Sequence, residues 1–305
     1  ARRRLLGGRG LSLLDRDLVV VTGKGGVGKT TVAAALGLVA ARRGQRTIVA
    51  EVARRDDVSR ALGGEGIQEE ELAPGLHHVS IDPERAMELY LTDQLPSALA
   101  ELLSSSRTFT YLAAATPGMR ELLTVGKVWE LAQEDRRAPG ATPYDLVVLD
   151  APATGHGVAI LSAPRTFART ARVGRIARQG RTIDAMVTDP ARTGVVAVAR
   201  PEEMPVTETL SLQDALRDEV GLDVGLVVAN AVLPQRFSAA EAVALEAAPD
   251  GPEVRAARHA GARARAQRTQ LRRLRRGVRA PVATLPFVFD GDPMALLARE
   301  LERSL

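Results

Sequence analysis

Short apolar runs alternate with longer stretches in which apolar residues return every three or four positions. Leu18–Thr22, Arg46–Val52, Val79–Ile81, Tyr144–Asp150, Gly194–Ala199, Val224–Ala229 and Pro281–Leu285 are nearly uninterrupted apolar runs of strand length. Strands covered on both faces read this way. Lys29–Arg43 is an alanine-rich helix, and Glu84–Gln133, Leu161–Met186 and Ala239–Arg276 carry helical spacing without a strand signal. Such alternation predicts an α/β fold with a mostly parallel, doubly wound sheet. Residues 1–305 read as a single domain, with a helical cap subdomain supplied by inserts at approximately 84–135 and 161–190. Ala53–Gly75, Arg136–Thr142 and Ala247–Pro252 read as loops.

Composition removes several chemistries. No cysteine is present, which excludes disulfides, thiolate metal sites, iron–sulfur clusters and cysteine nucleophiles. No apolar run approaches the roughly 20 residues that a spanning helix needs. Ala1–Arg16, basic at Arg2, Arg3 and Arg4 and interrupted by glycines, reads as a basic lead-in rather than a signal peptide. A cytoplasmic location is expected. The charge balance, 41 cationic against 37 anionic residues for a net +4, is too mild to point to nucleic acid. Only Lys24, Lys29 and Lys127 are lysines. Where arginine is the default cation, a retained lysine marks a position that wants a compact ammonium.

Two of those lysines fall in Gly23-Lys24-Gly25-Gly26-Val27-Gly28-Lys29-Thr30-Thr31, between the first strand and the first helix. This is the G-x-x-x-x-G-K-[ST] phosphate loop in its required context, and it fits a P-loop NTPase. Glycines let successive N–H groups of residues 25–31 turn toward phosphate oxygens, and the helix N-terminus adds positive potential. Lys29 is expected to reach the β- and γ-phosphates and Thr30 to ligate Mg²⁺. A second apolar run ends in Asp150, the expected Mg²⁺-side carboxylate, and continues Ala151-Pro152-Ala153-Thr154-Gly155-His156.

The loop G-K-G-G-V-G-K-T resembles that of the deviant Walker-A ATPases. D-x-P-x-T-G-H narrows the likeness to the arsenite-pump ATPase family, which includes the ATPases that target tail-anchored membrane proteins. The resemblance implies an ATP-hydrolysing dimer in which Lys24 acts across the interface, with Lys29 and Asp150 as its other catalytic residues. It assigns Pro152, Thr154, Gly155 and His156 to the second nucleotide switch. Asn230, Pro286 and Phe287 fall where the family reads adenine, and Ile81-Asp82-Pro83 with Ala86 and Met87 resembles its step into the helical subdomain. No guanine-reading Lys-x-Asp motif occurs, so ATP with Mg²⁺ is the expected cofactor pair.

The chain departs from that pattern in three ways. Aligned on Ser59-Arg60-Ala61-Leu62-Gly63, the water-orienting Asp of the first switch falls on Ala53, with Glu51, Asp56 and Asp57 as candidate substitutes. Hydrolysis is therefore expected to be slow, or to need a partner subunit that retains the Asp. Without cysteine, arsenite has no thiolate ligands and a zinc-bridged dimer is excluded. The insert is short and poor in methionine, and Leu122, Leu123, Val128 and Leu131 read as sheet packing rather than a client groove.

Two arginine series, Arg165, Arg169, Arg172, Arg175, Arg178 and the ten arginines from Arg255 to Arg279, suit DNA backbone or anionic lipid by charge. Without neighbouring aromatics for stacking, solvated helix faces are favoured. Met294–Leu305 reads as a packed terminal helix, because Glu300 and Glu302 flank its apolar face; membrane contact is peripheral at most. His77, His78 and His259 are expected at the surface, and Lys127 has no assigned chemistry. These residues point to an ATP-driven switch working as a homodimer, or as a heterodimer with a paralogous ATPase, on a client such as a hydrophobic protein. A DNA- or membrane-positioning ATPase of the partition or septum-site type is the alternative.

Overall fold

The computed structural model describes residues 12–52, 55–87, 118–136, 140–171 and 175–305. Ala53, Arg172 and most of the first expected insert, residues 88–117, lie outside the described residues. In chain order the elements are β1 (Leu18–Thr22), α1 (Lys29–Arg42), β2 (Thr47–Val52), α2 (Asp57–Ala61), β3 (Glu70–Ala73), β4 (Leu76–Ile81), α3 (Met119–Leu131), β5 (Leu146–Asp150), α4 (Thr154–Ala171), α5 (Arg175–Val187), β6 (Thr193–Ala199), α6 (Glu203–Ala215), β7 (Leu226–Val232), α7 (Ala239–Ala247), α8 (Pro252–Gly277), β8 (Val282–Pro286) and α9 (Pro293–Glu302). They form one eight-stranded sheet in the order β3-β4-β2-β5-β1-β6-β7-β8. Only the edge pair β3–β4 is antiparallel.

Side chains alternate between faces along a strand, so a doubly covered sheet splits each run into two cores. Leu18 and Val20 join one core with Val147, Leu149, Val195 and Ala197. Val19 and Val21 join the other with Val148, Val196 and Val228, under the alanine-rich face of α1 and the terminal helix α9. Met294, Leu297, Ala298 and Leu301 are buried there, so α9 is a packed helix as its sequence predicts. No helix among the described residues is long and apolar enough to cross a membrane.

Two expectations need correction. The stretch Ala53–Gly75 is not one loop: it holds α2 and the edge strand β3, whose short patterns are too brief to show as periodicity. His77 and His78 are buried rather than exposed. On β4 they are enclosed by the antiparallel β3 on one side and by β2 on the other. The described parts of the two expected cap inserts lie on the sheet. Val125, Val128 and Leu131 of α3, Ile160 and Leu161 of α4, and Ile183 and Met186 of α5 belong to the first core.

All strands but β3 run parallel, so their C-terminal ends share one rim. The chain leaves β1, which lies between β5 and β6, for a helix on one face and returns on both sides. That arrangement opens a crevice at the rim, where open α/β sheets bind ligands.

Candidate functional site

The loop after β1 can exist only with glycine at two points. Gly23 has φ +148° and lies so close to β6 that a Cβ would meet the Val198 carbonyl oxygen at 2.2 Å. Gly28 caps α1 in the left-handed conformation, φ +92°, and a Cβ there would meet Asn230 Nδ2 at 2.2 Å. The loop therefore sits flat against β6 and the end of β7. The N-terminus of α1 opens onto it, as an anion site requires.

Lys29 is largely buried, and its Nζ crosses the loop to the Lys24 carbonyl at 3.1 Å. Burial lowers its pKa, opposed by the Asp150 carboxylate. Thr30 Oγ1 donates to Asp150 Oδ2 at 2.6 Å. Asp150 ends β5 and is almost wholly buried; burial pushes its pKa up to about 6, against the pull of Thr30, Arg55 and Lys29. Its Oδ1 is buried with no hydrogen-bond partner among the described residues, and the same holds for Glu51 Oε1. An orphaned carboxylate oxygen next to a hydroxyl fits a hard divalent cation. No group of three or more His, Cys, Asp or Glu among the described residues could hold a metal, so Mg²⁺ here would take the rest of its shell from water or phosphate oxygens.

The expected first switch is built differently from its sequence reading. Glu51 does not face the loop as a free carboxylate. It is fully buried, with Oε2 accepting from the Val58 backbone N–H at 2.8 Å and lying 2.9 Å from His78 Nε2. Asp56 and Asp57 are both held by Arg60, at 2.9 and 2.8 Å. The side chain that reaches the loop is Arg55, which sequence reasoning passed over. Arg55 Nη2 donates to Thr30 Oγ1 at 2.9 Å and lies 3.4 Å from Asp150 Oδ2, while Nε donates to Asp57 Oδ2 at 3.0 Å. One more arginine in an arginine-rich chain carries no signal in the sequence.

The expected second switch begins where the Thr154 N–H donates to the Gly23 carbonyl at 3.1 Å. Thr154 Oγ1 also donates to Glu208 Oε2 at 3.3 Å, and the other Glu208 oxygen pairs with Lys24. One carboxylate on α6 thus holds both the first loop lysine and the first residue of α4. Gly155 and His156 are exposed. Pro152 and His156 line a cleft with Val52, Asp82, Arg120 and Ile160.

On the other side of the loop, Asn230 Nδ2 donates to the Val27 carbonyl at 2.9 Å. Asn230 precedes Ala231, the only described non-glycine residue with positive φ, +57°, at a register shift between β7 and β8. Gln267 of α8 fixes this bulge: Nε2 donates to the Ala231 carbonyl and Oε1 accepts from the Leu233 N–H. Pro286 ends β8, and the Phe287 N–H donates to the Val232 carbonyl at 2.9 Å. The Phe287 ring is 40% exposed beside Phe289, with centroids 4.7 Å apart, and Arg236 lies over Phe289. The fold therefore gathers residues 25–31, Asp150, Asn230, Pro286 and Phe287 on one rim. Arg55, Glu208, Gln267 and the Arg236–Phe289 pair join them unannounced by any motif.

The arginine series do not behave alike. Arg165 pairs with Asp184 and donates to the carbonyls of Glu219 and Val220, a structural role. Arg272, Arg273, Arg275 and Arg276 on α8 are exposed. Lys127 pairs with Glu130 at 2.6 Å.

Comparison with known proteins agrees with this geometry. A family model described as anion-transporting ATPase matches residues 16–179 and 168–247. ATPase BagA of Mycobacterium tuberculosis is 28% identical over 250 residues, covering 78% of this chain and 72% of that protein. Protein SCO2128 of Streptomyces coelicolor is 31% identical over 255 residues, covering 71% of this chain and 63% of that protein. The arsenical pump-driving ATPase of Acidiphilium multivorum is 27% identical over 252 residues, 73% of this chain but 40% of that larger protein. With the match running through the phosphate loop, Asp150 and Asn230, the chain belongs to the anion-transporting ATPase family.

Proposed function

We propose that this chain is an Mg²⁺-ATP-dependent switch ATPase that couples closure of a dimer, and hydrolysis, to binding and release of a client. The observation that carries this reading is the Glu208 carboxylate, which ties Lys24 of the phosphate loop to Thr154 of the second switch. Lys29 and the amides of residues 25–31 hold phosphate oxygens, and Thr30 and Asp150 face Mg²⁺. The metal, when bound, supplies positive charge to the transferring phosphoryl group. Lys24, drawn from Glu208 by a negatively charged nucleotide in the facing subunit, breaks the bridge between the phosphate loop and Thr154, and α4 can move independently of the loop. Asn230 and Phe287 offer an amide and an exposed ring to the base. Arsenite is not carried over from the pump relatives, since the chain has no cysteine to bind it.

The test is ATP turnover per chain against protein concentration, for the wild type and Lys24→Ala. Turnover that rises with concentration, and a variant that loses the rise, supports closure of two copies with Lys24 in trans. Activity that appears only when a related ATPase is added assigns the partner as a paralogue. A Lys24→Ala protein with full turnover at every concentration overturns the trans role.

A further inference from the structure

The magnesium side of the site already holds a cation. Arg55 Nη2 donates to Thr30 Oγ1 at 2.9 Å and lies 3.4 Å from Asp150 Oδ2 and 3.8 Å from Glu51 Oε1. It thus stands against the Thr30 hydroxyl and the Asp150 carboxylate, the two groups that fit a hard divalent ion, while Asp150 Oδ1 stays without a hydrogen-bond partner among the described residues. The Thr30 hydroxyl has one proton, which goes to Asp150, and its oxygen accepts the Arg55 N–H. A metal bound to Thr30 Oγ1 needs the electron density that Arg55 now uses, and the same negative charge on Asp150. The two cations therefore compete.

We propose that Arg55 is a positioning residue that occupies the magnesium-side ligands until the metal arrives, so that metal binding expels it and moves the first switch. The proposal rests on the reading of Thr30 and Asp150 as magnesium-side ligands. Arg55 has two functions in this arrangement. It keeps Thr30 and Asp150 in register, offsetting the charge of a buried carboxylate that would otherwise lack a cation beyond Lys29. It also ties metal occupancy to the backbone, because the guanidinium is anchored through Nε to Asp57 at the first turn of α2. Rotation about that anchor takes Nη2 away from Thr30. The next residue, Val58, is bound through its N–H to Glu51, so the displacement pulls on the segment that joins β2 to α2. Arg55 thus lies three residues before Val58 and two after Ala53 in the sequence, within the stretch expected to form the first switch.

The experiment is a Mg²⁺ titration of the 305-residue chain saturated with a fluorescent ADP, which needs no turnover. The wild type is compared with Arg55→Ala and Arg55→Gln, and the melting temperature of each checks folding. Expulsion of a competitor predicts that Arg55→Ala lowers the half-saturating Mg²⁺ concentration about three- to tenfold. The effect is modest because the guanidinium is 39% exposed. Arg55→Gln keeps a donor without the charge and falls between the two. Hydrogen exchange at residues 56–62 should rise on adding Mg²⁺ to the wild type, and already be raised in Arg55→Ala without it. If wild-type fluorescence is indifferent to Mg²⁺, the magnesium reading of the site falls, and this proposal with it. If the wild type responds but Arg55→Ala has an unchanged or higher half-saturation, the competition alone is overturned. A lower melting temperature with unchanged Mg²⁺ dependence gives Arg55 a structural role only.

Discussion

Glu51 separates a structural from a chemical account of the first switch, and a pair of substitutions decides between them. Its side chain and that of His78 are both 0% exposed. Oε2 serves the Val58 N–H at 2.8 Å and His78 Nε2 at 2.9 Å. Glu51→Ala strands two buried polar groups, each at a cost of about 1–3 kcal/mol. Removing a buried carboxylate recovers part of that loss, so a net of roughly 3 kcal/mol is expected. At about 2.1 cal/mol/K per residue, unfolding a chain of this length carries an entropy near 0.6 kcal/mol/K, so the midpoint should fall by about 5 °C. Glu51→Gln can keep its carbonyl oxygen where Oε2 stands, accepting from the Val58 N–H and from a protonated His78 Nε2. The amide NH2 then takes the place of Oε1, which has no hydrogen-bond partner among the described residues. That variant should lose about 1 kcal/mol or less and keep its turnover. Thermal unfolding followed by circular dichroism, with steady-state ATP hydrolysis on the same samples, reads both effects. A Glu51→Gln protein with unchanged melting and turnover roughly 100-fold lower would refute the reasoning, because that is the mark of a carboxylate acting on the attacking water. So would a Glu51→Ala protein that melts at the wild-type temperature.

Three other outcomes follow from the same geometry. Gly28→Ala forces a side chain into a left-handed position and onto Asn230; nucleotide affinity by fluorescence titration should drop more than about tenfold, and unchanged affinity would show that the loop can rebuild. Glu208→Gln frees Lys24 from a pair whose side chains are 33% and 31% exposed. It should change stability by about 1 kcal/mol or less, while turnover begins at lower protein concentration than in the wild type; onset at the same concentration argues that Glu208 does not restrain the loop. Glu69 accepts two bonds from the buried Arg136 and one from Tyr144, which hold its pKa down at about 2 from an unfolded value of 4.5. A depressed carboxylate contributes stability that is present above pH 4.5 and lost as pH falls toward 2. With the side chain 37% exposed, the shift is discounted to about 1–2 kcal/mol, and Glu69→Gln should flatten urea-unfolding stability across that window.

Much of the architecture was legible before any coordinates. The strands of the parallel sheet are apolar runs because both faces are covered, and their ends appear within three residues of their predicted positions. The phosphate loop is legible for a related reason: its chemistry lies in consecutive residues, and its glycines are demanded by local backbone geometry. Asp150 and the T-G-H continuation share that property. What escaped were contacts between distant segments. Lys24 and Glu208 are 184 positions apart; Glu51 meets His78 only because β2 and β4 lie side by side in the sheet. A histidine in a polar-looking run reads as exposed until an edge strand closes over it. Arg55 shows the limit most plainly. Nothing distinguishes it from its neighbours in sequence, and its place on Thr30 and Asp150 follows from the packing of β2, α2 and β5 around one rim. Periodicity and loop motifs act over a few residues, whereas the electrostatics of the site is assembled by chain crossings that no local pattern records.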